Sequence, residues 1–108
     1  MAEQQNVQTP ANAMLEMLKV DLTISSTAYD ARLAQYLTAA EDAIEQEGVS
    51  DLDNTTIPDQ MLIIMYAAWM WRKRDFQAGK YGKGTMMPEM LRYKLNNRIF
   101  QCKMKVGD

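Results

Sequence analysis

Histidine is absent from this sequence, and cysteine occurs once, at Cys102. Without histidine, imidazole-centred acid–base pairs and catalytic triads are excluded. A lone thiol cannot close an internal disulfide, and one Cys with no His leaves no zinc site of the usual nitrogen–sulfur kind. Long apolar runs are also missing. The longest, Met61 to Trp71, has eleven residues. As a helix it would measure roughly 16 Å, against a bilayer core of about 30 Å. The opening MAEQQNVQTPANA carries neither the basic nor the apolar stretch of a secretory signal. The expectation is a soluble, intracellular chain with no membrane partner and no cofactor.

What remains is the material of one small domain. The chain has 108 residues, enough for one modest core. Ten of them are Met, a side chain that fills irregular gaps and adapts to partners. Charge is divided along the chain. Residues 1–59 hold eleven acidic and two basic side chains, a net −9; residues 60–108 hold three acidic and ten basic, a net +7. Such a division suits halves that attract one another, or two surfaces that meet different partners. The plainer alternative is a set of solvated helix faces.

Apolar periodicity predicts helices. Asn12 can cap a short one from Ala13 to about Lys19, with Met14, Leu15 and Leu18 on one face. Asp21 to Ile24 then reads as an extended exit. Ser26 or Thr27 can cap the next helix, with Asp30 completing a box-like arrangement. Leu33, Leu37, Ala40 and Ile44 form its stripe, flanked by Tyr29 and Tyr36. Arg32, Gln35, Glu41, Asp42 and Glu45 occupy the other face. Gly48 is a natural stop, and VSDLDNTTI is a polar loop.

Thr56 can cap the third helix, with Pro58 in its first turn and Asp59 at the positive end of the dipole. Arg72, Lys73 and Arg74 stand at the negative end, where cations belong. A helix apolar all round is a buried one, so this run predicts the spine of the core. Trp69 and Trp71 lie about 200° apart on it, at about 100° per residue. Both cannot face the same core, which leaves one for a neighbouring subunit. Phe76 to Met87 reads as a flexible, basic, Gly-rich loop without Walker spacing. Pro88 and Glu89 open a last helix with Leu91, Leu95 and Ile99 aligned. That helix is expected to dissolve near Cys102, leaving a tail that is a short strand or disordered. The predicted fold is all-α: a small bundle of about four helices around a buried central apolar helix. The expected organisation is a polar, mobile extension over 1–13, a helical domain over 14–100 and a short tail over 101–108.

Three segments in order carry a resemblance. They are LKVDL with YDARLAQYLTAAEDAIEQEG, from Leu18 to Gly48; YAAWMWRKRD, from Tyr66 to Asp75; and MPEMLRYKLNNRI, from Met87 to Ile99. This order resembles the small head–tail connector, or adaptor, proteins of tailed double-stranded DNA bacteriophages and prophages. Trp71 and Arg74 match that family's aromatic–Arg end of the middle helix. Pro88 and Arg98 match the opening and end of its last helix. The resemblance spans about Met14 to Phe100 and rests on order and spacing rather than on one specific motif.

The resemblance implies a non-catalytic virion protein at the head–tail junction, made in the host cytoplasm. It implies a homo-oligomeric ring, of dodecamer type, beneath the portal protein. Such a ring extends the DNA channel and carries the stopper or tail-completion protein, while DNA passes without sequence-specific binding. The polar extension and short tail depart from the plainest members, and the short tail leaves open the extent of the C-terminal docking into a portal that the resemblance implies. A ring needs a head-to-tail interface. Its expected residues are Glu41, Asp42 and Glu45 against Arg72, Arg74 or Arg98 of the next copy, with Trp69 or Trp71 supplying apolar burial.

Other classes remain open on the sequence. Arg92, Lys94, Asn96, Asn97 and Arg98 suit a helical DNA-binding or DNA-packaging accessory module. Against it stand a pI near 5.1 and the lack of a tight helix-turn-helix. Asp30, Asp42 and Glu45 offer carboxylates for an enzyme, but no nucleophile or phosphate cradle accompanies them. An adaptor bundle unrelated to phage would share the same fold.

Overall fold

The computed structural model describes residues 9–77 and 86–106. They form four helices: α1, Pro10–Leu22; α2, Asp30–Glu47; α3, Ile57–Gln77; and α4, Glu89–Val106. No strand occurs among the described residues, and the molecule is a small all-α bundle. The helix α3 touches all three others; α1, α2 and α3 pack mutually, and α4 packs chiefly on α3.

The core follows the predicted stripes. Met14 and Leu18 of α1, Leu33, Leu37, Ala40 and Ile44 of α2, and Leu91 and Leu95 of α4 are buried. From α3 come Leu62, Ile63, Ile64, Tyr66, Ala67, Ala68 and Trp71, so the apolar run is the spine of the core, as its all-round character requires. Only its first residue, Met61, is exposed.

Helix ends differ from the sequence reading where two local signals compete. The helix α1 begins at Pro10, not after Asn12, and Thr9 is its cap. Thr9 Oγ1 accepts the Asn12 N–H at 3.1 Å. Proline at the first helical position forfeits no intrahelical bond, so Pro10 favours the earlier start. At the other end the helix runs on to Leu22, and Thr23 takes the left-handed conformation at φ 55°. The Ile24 N–H then reaches back to the Lys19 carbonyl at 2.9 Å, closing a Schellman-type turn with Thr where Gly is usual. The helix α2 has no side-chain cap. The Ser26 hydroxyl accepts from Ala28 N instead, and Asp30 pairs with Lys19 at 2.9 Å. The expected capping box is absent because its acidic partner is drawn to α1.

Two ends lie further on than expected. The helix α3 continues to Gln77, so Phe76 belongs to it; residues 78–85 of the Gly-rich segment lie outside the described residues. The helix α4 passes Cys102 and ends at Val106, so the anticipated strand or disordered tail is a further helical turn up to that point. The reason is anchorage: Cys102 extends the buried stripe, and Lys105 Nζ reaches Asp51 Oδ2 at 3.2 Å.

Gly48 ends α2 as read from sequence. Its φ is 133°, and its N–H donates to the Glu45 carbonyl at 3.1 Å. A Cβ here would stand 3.2 Å from Ile99 Cγ2, so the turn also sets how closely α4 approaches. Gly48→Ala therefore combines backbone strain with a steric push. It should lower stability by about 1–3 kcal/mol, read by urea denaturation.

Candidate functional site

The charged side chains gather at the two ends of α3. At its start, Asp59 is buried and receives Arg98 from α4 as a fork: Nε to Oδ1 at 2.8 Å and Nη2 to Oδ2 at 3.1 Å. Arg98 Nη2 also donates to the Asp51 carbonyl at 3.1 Å and lies 3.0 Å from Asp51 Oδ1. Asp59 Oδ2 further accepts the Asp53 N–H at 2.9 Å, tying the α2–α3 loop to the same carboxylate. This planar two-point pairing is the geometry guanidinium and carboxylate favour. Hydrogen bonding to Asp59, the largest influence, holds the Arg98 guanidinium more firmly protonated than usual, against an opposing push from burial.

Asp51 is the outer member of the junction. The nearby Cys102 thiol is the largest influence on it. With Lys105 and Arg98 it holds the carboxyl below its ordinary value, against an opposing push from burial. The same thiol lies 3.4 Å from Ser50 Oγ. Farther along α4, Arg92 reaches Glu47 at 3.3 Å and links its first turns to the end of α2.

The C-terminal end of α3 is aromatic and basic. Trp71 is buried between the edges of Tyr29 and Tyr36, at ring centroid distances of 5.6 and 5.3 Å. Arg74 stacks 3.8 Å from the Trp71 ring centre and donates to the Trp71 carbonyl at 2.7 Å. Trp69, half-buried, meets Tyr66 edge-on, receives Lys73 at 4.3 Å and donates from Nε1 to the Met86 carbonyl at 3.2 Å. Arg72 is exposed and donates to the Asp21 carbonyl at 3.1 Å. Both tryptophans find partners within the chain and both border the one core, Trp71 buried in it and Trp69 packed against it, contrary to the expectation that the two could not share a core.

The residues singled out from sequence fall into separate groups. Trp69, Trp71, Arg72 and Arg74 share the last turns of α3. Glu41, Asp42 and Glu45 lie on the distant half of α2, which runs antiparallel to α3; Glu41 accepts from Asn54 beside the start of α3 at 3.4 Å. Roughly 25 Å of helix separates Ile57 from Arg74, so the acidic group does not meet Arg72 or Arg74 within one chain. Arg98 belongs to neither group, being committed to Asp59 and Asp51. Sequence reading missed this junction, along with Lys19–Asp30 and Glu47–Arg92. Asp59 carried a sufficient local explanation as a first-turn acid, and no local pattern links it to a partner 39 residues away.

Surface depressions are open grooves. One lies between α3 and α4, lined by Ile57, Met61, Tyr93 and Asn97 with Arg98 at its side. Another lies between α2 and α3 at Arg32, Tyr36, Met70 and Arg74. Among the described residues no three acidic, Cys or His side chains are grouped to hold a metal ion, and no helix is long and apolar enough to cross a membrane.

The junction generates two predictions. Asp59→Ala removes the fork, leaves Arg98 only its Asp51 contacts and takes the acceptor from the Asp53 N–H, and should cost about 3 kcal/mol. Arg98→Met with Asp59→Leu removes both charges and should cost less than Asp59→Ala, although the Asp53 N–H and Asp51 still lose a partner; urea denaturation of the single and double variants measures the difference. The second prediction concerns pH. Because the folded carboxyl of Asp51 is depressed, its contribution is fully present above the ordinary value of 3.8 and fades as pH falls through the folded value. Asp51→Asn should therefore destabilise at neutral pH, and its gap from wild type should narrow below pH 3.8, in matched denaturation curves.

Comparisons of the chain with protein-family models, curated proteins and solved structures return no match.

Proposed function

We propose that this chain is a non-catalytic, ring-forming connector at the head–tail junction of a tailed double-stranded DNA phage. It would sit beneath the portal protein and carry the stopper or tail-completion protein. The reading rests first on the order of the three resembling segments, which fall on α1–α2, the end of α3 and the start of α4. The observation that carries it further is the separation of exposed charge. Asp42 and Glu45 stand near one end of the bundle, Arg72 and Arg74 near the other, and they do not meet inside one chain. A head-to-tail ring sets the acidic end of one copy's α2 against a basic surface of the next.

Arg98 drops out of that pairing because its guanidinium is used internally. The remaining exposed pairs are worth roughly 0–1 kcal/mol each, so they orient copies rather than hold them. Apolar burial must supply most of the association energy. DNA in the channel is passed rather than gripped: each phosphate neutralised by a cation adds affinity, so an acidic lumen favours sliding.

The test is sedimentation of the purified chain, alone and with the portal protein of the same phage. A portal-bound complex of ring stoichiometry is the expected result. A chain that stays monomeric and ignores the portal overturns the assignment. Steep salt-dependent binding to duplex DNA would replace it with a DNA-binding reading built on Lys94 and Asn97.

A further inference from the structure

The helix α4 is apolar on two opposite sides. Leu91, Leu95, Ile99 and Cys102 face the core. Met90, Tyr93, Phe100 and Met104 fall within about 80° of one another on the reverse side, at about 100° per residue. They are 59, 65, 62 and 58 % exposed. Scattered exposed hydrophobics need no explanation, but four large ones aligned along one helix form a stripe, interrupted at the exposed Asn97. Tyr93 also lines the groove to α3, where Ile57 and Met61 are exposed, so the patch continues onto a second helix.

We infer that this outer face of α4 is where one copy docks onto the exposed face of α2 in another copy, with the two helices parallel. The inference rests on the ring reading for its head-to-tail sense. Charge selects the occupant. Lys94 and Lys103 flank the stripe on either side, and among the described residues neither makes an ion pair. Two α4 faces meeting in either direction would set one lysine-bordered surface against another. Either arrangement sets like charges across a desolvated contact.

The exposed face of α2 has the opposite character. Ala31, Ala34 and Thr38 present small side chains that admit bulky ones, and Asp42 and Glu45 follow at its far end. From Ala31 to Glu45 this face is about 21 Å long, as is the stripe from Met90 to Met104. Direction follows from the ends. Parallel helices set Glu89 near Arg32 and Lys103 near Asp42 and Glu45, whereas antiparallel helices oppose acid to acid and base to base. The contact uses a different surface on each copy, so each docked copy still offers a free α4, as ring growth requires.

The experiment places photoreactive benzoylphenylalanine at Tyr93 in the full chain. It is irradiated across a concentration series, alone and with the portal, and crosslinks are located by mass spectrometry beside sedimentation of the same samples. The expected crosslink is to residues 31–45 of another copy. Phe100→Ser with Met104→Ser should weaken self-association at least ~tenfold with an unchanged circular dichroism spectrum, because hot-spot anchors carry most of such an interface. Lys103→Glu should weaken it, and Glu45→Lys in the same chain should restore it. A monomer under every condition overturns the inference, as does a crosslink to another α4 or to the portal alone. Rings on the portal that survive the Phe100→Ser, Met104→Ser change overturn it while leaving the connector reading intact. Association through α4 and α2 by a chain that ignores the portal does the reverse.

Discussion

One guanidinium decides where α4 stands. The first three helices pack on one another and share their core, but α4 rests chiefly on α3. Leu91 and Leu95 give it adhesion there, yet apolar contact is not directional. The fork from Arg98 to Asp59 is directional. It fixes the rotation of α4 about its own axis and its position along α3, and through Asp51 and Asp53 it draws the α2–α3 loop into the same arrangement. Such a pair is weak support for stability as such, because desolvation offsets much of its attraction. Its role here is geometric: it determines which side of α4 faces the core and which side is presented outward.

What could be read from the chain alone follows the range of the forces involved. The stripes of α2 and the all-round apolarity of α3 depend on neighbours three or four residues apart, and both were legible. Gly48 was legible because a positive φ suits few other residues. The helix ends were harder. Asn12 and Thr9 are both good caps, and Pro10 favours the earlier one. Asp30 fits a capping box until Lys19, eleven residues earlier, claims its carboxylate. The last turn of α4 depends on Asp51, more than fifty residues upstream. Arg98 and Asp59 both had adequate local explanations, a basic helix and a helix dipole, and each hid a tertiary partner. The aromatic–Arg end of α3 was flagged in sequence as a contact to a neighbour. In the fold it is first an internal structure, with Trp71 enclosed by two tyrosines and covered by Arg74.

The uneven charge of the chain takes on a spatial meaning in the fold. Part of it is neutralised internally, through Lys19–Asp30, Arg92–Glu47 and the Arg98 junction. The remainder is not spread evenly. Asp42 and Glu45 lie on the outward side of α2, Lys94 and Lys103 border the outward side of α4 with no ion pair among the described residues, and the arginines of α3 stand at the opposite end from the acids. On the proposed ring reading, this polarity would set copies head to tail rather than through one symmetric patch.

Cys102 gives this arrangement a built-in reporter. It is the chain's only thiol, 2 % exposed, and it lies against Ser50 where the last turns of α4 meet the α2–α3 loop. A reagent that modifies thiols can reach it only when that end of α4 lifts away. The rate of its modification therefore measures how often the helix undocks, on the free-energy scale of local opening, with no label introduced into the protein.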